Sequence, residues 1–252
     1  MNAPGRWRCY VLAAMLGPCG AIVVAQSAAA AVDLSGTWVP AADLVSGLNA
    51  DDLRLTSAAV DAVGQFDSER FDSTAFCMPY GTPRNILATA PYPLEIVQRP
   101  EQVTVIFDGL GDVRRIFTDG RSHPEDPIPS WMGYSVGTWD DETLLVQTQA
   151  MTGESILSDA GLPHSDTMLL EERWRLVEHN DESLLQVELS IVDPVYYREP
   201  VEAMRLFRRA PHATMSEGPG LCLLDQWSVE LEETNRTLYR DARDAGHEES
   251  SR

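Results

Sequence analysis

Lysine is absent from this chain: all nineteen basic residues are arginine. That excludes chemistry built on a lysine amine, including pyridoxal-phosphate enzymes, Schiff-base aldolases and Ser-Lys hydrolase dyads. Positive charge is scarce altogether. With 39 acidic residues and a formal net charge of −20, the chain lacks the basic field that nucleic acids and anionic membrane surfaces require, so neither is expected as a partner. Metal-binding spacing is missing too, since neither HExxH nor a paired-cysteine motif occurs. His123 with Asp126 and His164 would make at most an improvised zinc site, so no metal and no cofactor are expected. There is no internal repeat.

Long apolar runs are equally rare. The one that stands out, residues 10–25, follows Arg6 and Arg8 and leads into the small residues of QSAAA at 26–30. This is the pattern of a secretory signal, which predicts a mature chain starting near Ala31 or Val32 and a periplasmic or secreted protein. Leu16-Gly17-Pro18-Cys19 is a poor lipoprotein box because proline precedes the cysteine. No other segment approaches the roughly 20 apolar residues of a membrane helix, so no membrane insertion is expected after cleavage. Removing residues 1–30 discards Cys9 and Cys19 and leaves Cys77 and Cys222. In an oxidising compartment that pair is expected to form one disulfide.

What remains is strand-like. Short segments rich in valine, isoleucine and aromatics recur at 94–98, 103–107, 113–117, 134–139 and 144–149. Longer ones follow at 168–177, 184–192 and 202–208, and Thr37-Trp38-Val39 opens the series. In the 184–192 segment Leu185, Val187, Leu189 and Ile191 alternate with Gln186, Glu188 and Ser190, giving one buried face. Turn signals such as Asp108-Gly109-Leu110-Gly111-Asp112 separate neighbours, and no βαβ alternation appears. Sequential hairpins of this kind close naturally into a barrel, which leaves no exposed edge. The prediction is an all-β, antiparallel up-and-down, lipocalin-like barrel of about eight to nine strands over residues 31–223, with a two-sheet sandwich as the alternative. One or two peripheral helices accompany it. One of them spans 51–66, capped by Asp51 or Asp52, and a helical or disordered acidic tail spans 224–252.

The stretch 119–148 concentrates glycine, proline, tryptophan and charge between strands. Within it GYSVG at 133–137 matches GxSxG, the elbow that presents a serine nucleophile in α/β-hydrolases. An elbow joins a strand to a helix, whereas this segment continues as strand, acidic turn (Asp140-Asp141-Glu142) and strand. Ser135 is therefore read as a strand residue.

The motifs LSGTW at 34–38, CMPYGTPR at 77–84, PYPLEIVQ at 91–98, RRIFTDGRSHP at 114–124, the WMGYSVGTW segment with its turn and TLLVQT at 131–148, GLPHS at 161–165 and IVDP at 191–194 together resemble a group of exported bacterial proteins of uncharacterised function. The resemblance covers most of the mature chain and implies a lipocalin-type barrel. It carries no activity. The acidic turn here departs from the group's glutamate-glycine-aspartate, and the segment after Cys222 is longer.

His123 and His164 each adjoin a proline, which fixes the backbone beside the imidazole, so both are candidates for acid/base work at the barrel mouth, with Asp119 beside them. Arg84, Glu95, Arg121, Glu172 and Arg173 are candidates for a polar network that holds a ligand or stiffens the barrel. Trp131 and Tyr134 could line an aromatic pocket, as could Trp139. The function expected first is the binding of a small apolar or aromatic molecule in the barrel cavity. A metal-independent lyase, isomerase or hydratase using His123 is the second possibility and a structural envelope protein the third. Oligomeric state is left open.

Overall fold

The computed structural model describes residues 32–44, 48–87 and 92–215. The expected signal segment, Cys222 and the expected acidic tail lie outside the described residues, so the expected pairing of Cys77 with Cys222 does too. Nine strands run in order: β1 (Gly36–Pro40), β2 (Leu94–Arg99), β3 (Gln102–Phe107), β4 (Val113–Phe117), β5 (Tyr134–Asp140), β6 (Thr143–Gln149), β7 (Leu169–His179), β8 (Glu182–Val192) and β9 (Val201–Arg209). Each pairs with the next, and β9 returns to β1 through Trp38↔Arg209 and Pro40↔Phe207, closing the barrel. Closure satisfies the edge groups of both terminal strands without a partner chain.

The turns explain the register. Asn180 and Asp181 both have positive φ (50° and 64°), the two-residue type I′ geometry whose twist matches the paired strands. It sets the eleven-residue β7–β8 ladder that begins at His179↔Glu182. Between β3 and β4, Gly109 (φ 90°) and Gly111 (φ 74°) let the chain reverse while Phe107 donates its N–H to the Asp112 carbonyl at 2.8 Å.

The sheet is mixed rather than wholly antiparallel. β4 and β5 run parallel through Ile116↔Ser135 and Phe117↔Val136. A two-residue hairpin cannot join parallel strands, and residues 118–133, the Gly/Pro-rich connection, supply the return. His123 rides on this connection.

Among the described residues helix is confined to short pieces outside the wall. The expected 51–66 helix is instead a 3₁₀ turn at Ala50–Asp52 and a nine-residue helix α1 (Ser57–Gln65). Thr56 caps α1 by accepting the Ala59 N–H at 3.3 Å. Only Ala59 of α1 is buried and Val60 stays 56% exposed, so packing does not extend the helix backward to Asp51. Two further turns of helix, α2 (Ser68–Phe71) and α3 (Arg84–Leu87), follow. Buried Ile86 and Leu87 place α3 against β9, where Arg205 donates to the Leu87 carbonyl at 2.7 Å.

Alternation sorts side chains across the wall as the strand pattern requires. Trp38, Leu94, Ile96, Val105, Ile116, Leu144, Leu170, Trp174, Val187 and Ile191 face inward and are at most 2% exposed. Gly137 also lies on the inner face. A Cβ there would sit 2.8 Å from Ile116 Cγ2 and 3.0 Å from Leu144 Cδ1, so this GxSxG glycine is a packing residue.

Candidate functional site

Two kinds of polar constellation occur, on opposite sides of the β5–β7 wall. The inner one centres on Arg114, whose side chain is wholly buried. Its Nε donates to Ser135 Oγ at 3.0 Å and its Nη1 to Glu172 Oε1 at 2.9 Å; Nη2 donates to Thr148 Oγ1 at 2.7 Å and to Glu172 Oε2. Ser135 and Thr148, neighbours across β5–β6, also bond each other at 2.9 Å. A buried charge pair is tolerated only with geometry of this kind, because each ion must recover the hydration it has lost. Ser135 is 1% exposed and held by a guanidinium, so it is a structural hydroxyl and no nucleophile. Glu172 belongs to this inner group.

The outer constellation is a groove of about 860 Å³ on the outward face of β5–β9. The ladders align its floor in two rows. One runs Val136↔Gln147↔Glu171↔Ser190↔Glu202, and the next Thr138↔Leu145↔Arg173↔Glu188↔Met204. Arg173 thus faces away from its neighbour Glu172, and the two cannot serve one network. His123 borders the groove, its Nε2 placed 3.1 Å from the Gln147 carbonyl. A carbonyl only accepts, so Nε2 carries the proton, and in the neutral ring Nδ1 is left as acceptor.

The other expected site residues separate. Asp119 and Arg121 pair with each other on the exposed connection (Nη2 to Oδ2 2.6 Å), and Arg121 stacks on Phe117 at 3.9 Å. The Arg121 guanidinium holds the Asp119 carboxyl below its ordinary value. Tyr134 lies against Phe117 (5.3 Å) and His123 (5.8 Å). Trp131 is half-buried, its carbonyl accepting from Thr82 at 2.9 Å. Neither aromatic borders the groove.

His164 does not join His123. It is 2% exposed; Nδ1 lies 3.1 Å from the Ser165 carbonyl, and Nε2 lies 2.7 Å from Ser155 Oγ. Nδ1–H therefore donates and Nε2 accepts the serine proton, with burial pushing the imidazole below its ordinary value. The Ser155 hydroxyl is itself enclosed, for a Cβ on Gly81 would lie 3.0 Å from it. Asp193, the carboxylate a triad would need, accepts instead from the Ser165 N–H (2.6 Å) and Oγ (3.0 Å). The group is a loop fastening.

Arg84 is a second fastening. It bonds both Asp72 oxygens at 2.7 Å, reaches Asp159 at 3.1 Å and lies 5.0 Å from the Tyr80 ring centre. Glu95, half-buried on the outward side of β2 opposite Thr37 and Ile106, is not among these partners. Among the described residues, no three His, Cys, Asp or Glu side chains gather as a metal site.

Sequence reasoning missed Arg114 and, in the groove row, Ser190 and Glu202. For Arg114 a signal exists, since it shares a strand face with Ile116, two residues on. The searches for similarity add nothing: no family model matches the chain, and no curated protein matches it significantly.

Proposed function

We propose that this is an exported barrel protein that binds a small molecule in the groove on the outer face of β5–β9. The observation that carries the reading is the groove itself: about 860 Å³, with apolar Val136, Leu145 and Met204 among convergent polar groups. Ligand sites commonly occupy about 300–1,000 Å³ with this mixture of surfaces. The expected site inside the barrel finds less support, because Trp38, Trp174 and the Arg114 group fill inward positions. Export rests on the signal pattern of residues 1–30, and kinship with the exported group on the motifs spread over residues 34–194. The test is a thermal-shift screen of apolar and aromatic compounds, neutral and charged, on the wild type and on Ser190→Trp, which fills the groove floor. Hits that raise the wild-type melting temperature and leave the variant unmoved support the reading. No hits, or hits indifferent to the substitution, overturn it.

His123 favours a second reading, acid/base catalysis on the bound molecule. Its Nε2 is anchored and its Nδ1 is left as acceptor at the groove's edge, as a general base requires. Turnover that survives His123→Ala would sink that assignment.

A further inference from the structure

The charges along the groove floor are not mixed at random. In the row through β6–β9, Glu171 and Glu202 flank Ser190. Glu171 receives a 3.4 Å contact from Gln147 Nε2, and Glu202 accepts from Ser190 Oγ at 2.6 Å. Among the described residues neither carboxylate meets a cationic side chain. The adjoining row has the opposite imbalance. Glu188 is satisfied by Arg175 Nη2 at 2.8 Å and Gln186 Nε2 at 2.9 Å, while Arg173 approaches it only through Nε at 3.6 Å. That leaves the end of the Arg173 guanidinium, whose side chain is 52% exposed, without a hydrogen-bonded carboxylate among the described residues. Two residues along a strand separate the rows, about 7 Å. Leu145 and Met204, in the same row as Arg173 and Glu188, add apolar surface to it.

We infer that the groove takes a zwitterionic ligand, its ammonium on the Glu171–Ser190–Glu202 row, its carboxylate on Arg173 and a short apolar spacer between them. The inference rests on the groove being the binding site. An ammonium supplies three donors to two carboxylates and a hydroxyl oxygen, and a carboxylate matches the planar fork of a guanidinium. A purely cationic ligand would leave Arg173 unmatched, and a purely anionic one would meet two carboxylates at close range. An ammonium and a carboxylate joined by about five methylenes span the distance between rows.

Three matched probes test this: 6-aminohexanoic acid, hexylamine and hexanoate, titrated into the full exported chain and followed by backbone amide shifts. The expected result is that 6-aminohexanoic acid binds at least ten-fold tighter than either singly charged analogue. Arg173→Gln should bring it down to the level of hexylamine, and Glu171→Gln with Glu202→Gln should bring it down to the level of hexanoate. Equal affinities for all three probes, or a preference for hexanoate, would overturn the zwitterion assignment while leaving the groove as the site. Shifts confined to residues outside the groove would overturn both. All the substituted side chains face outward, so unchanged melting curves verify that the variants are folded.

Discussion

Replacing Glu172 by glutamine removes the carboxylate bonded to Arg114 but leaves the shape of the site nearly intact. The guanidinium then keeps the hydroxyls of Ser135 and Thr148 and one amide oxygen, but loses the Glu172 charge and meets an NH2 group with its remaining donor. Breaking a buried pair in this way costs about 3–5 kcal/mol, far more than an exposed pair is worth, because the remaining ion cannot recover its hydration. For a domain of this size each kcal/mol moves the midpoint by about 2–4 °C, so Glu172→Gln should melt about 6–20 °C lower. Converting both partners to methionine should behave differently. The Ser135–Thr148 bond at 2.9 Å satisfies one hydroxyl with the other, and no ion remains. The double variant should be more stable than either single one, with a coupling of at least about 2 kcal/mol. Urea unfolding followed by tryptophan fluorescence is a suitable assay, since Trp38 and Trp174 are fully buried and report on the core. A loss below about 1 kcal/mol for Glu172→Gln, or a double variant as unstable as the two singles summed, would mean that Arg114 and Glu172 are not a desolvated ion pair.

Other perturbations give equally direct outcomes. Burial lowers the His164 value below its ordinary 6.5, so the unfolded chain takes up its proton first as pH falls. Stability contributed by neutral His164 is complete above about pH 6.5 and declines from there down to the folded-state value. His164→Gln should flatten that decline, and an unchanged slope in pH-dependent urea melts would contradict it. Asp112, raised by burial, contributes with the opposite sign around and above the ordinary carboxyl range. The wild-type minus variant difference removes it. Gly137→Val should destabilise strongly, since even a Cβ meets Ile116 and Leu144, whereas Ser135→Ala should leave a folded protein with any ligand binding intact. Thiol titration of the unreduced mature protein should find no reactive cysteine if Cys77 and Cys222 are paired; two reactive thiols would remove the disulfide.

The fold was largely legible because alternation is a local signal. In β8, Leu185, Val187, Leu189 and Ile191 reveal the buried face without any knowledge of neighbours, and the turn at Asn180-Asp181 announces the hairpin. The parallel β4–β5 junction was not legible, because strand direction after a sixteen-residue connection depends on where that connection travels. The start of α1 was misplaced because Asp51 and Thr56 are both good caps, and only tertiary contact selects between them. At the proposed site, His123 and Arg173 were singled out by residue type, but their supposed companions His164 and Glu172 are enclosed by Ser155 and Arg114. Ser190 and Glu202 were not read as site residues because polar residues on an outward face look the same whether the sheet is convex or grooved. Curvature belongs to the closed barrel and not to any one strand.

The small molecule is proposed to sit outside the barrel, on β5–β9, and not within it. Mapping amide shifts on the labelled protein with the tightest compound from the thermal screen separates the two positions. Shifts should centre on Gln147, Glu171, Ser190 and Glu202 and vanish in Ser190→Trp. Shifts centred on the inward residues Trp38, Leu94 and Ile96, persisting in that variant, would contradict that placement.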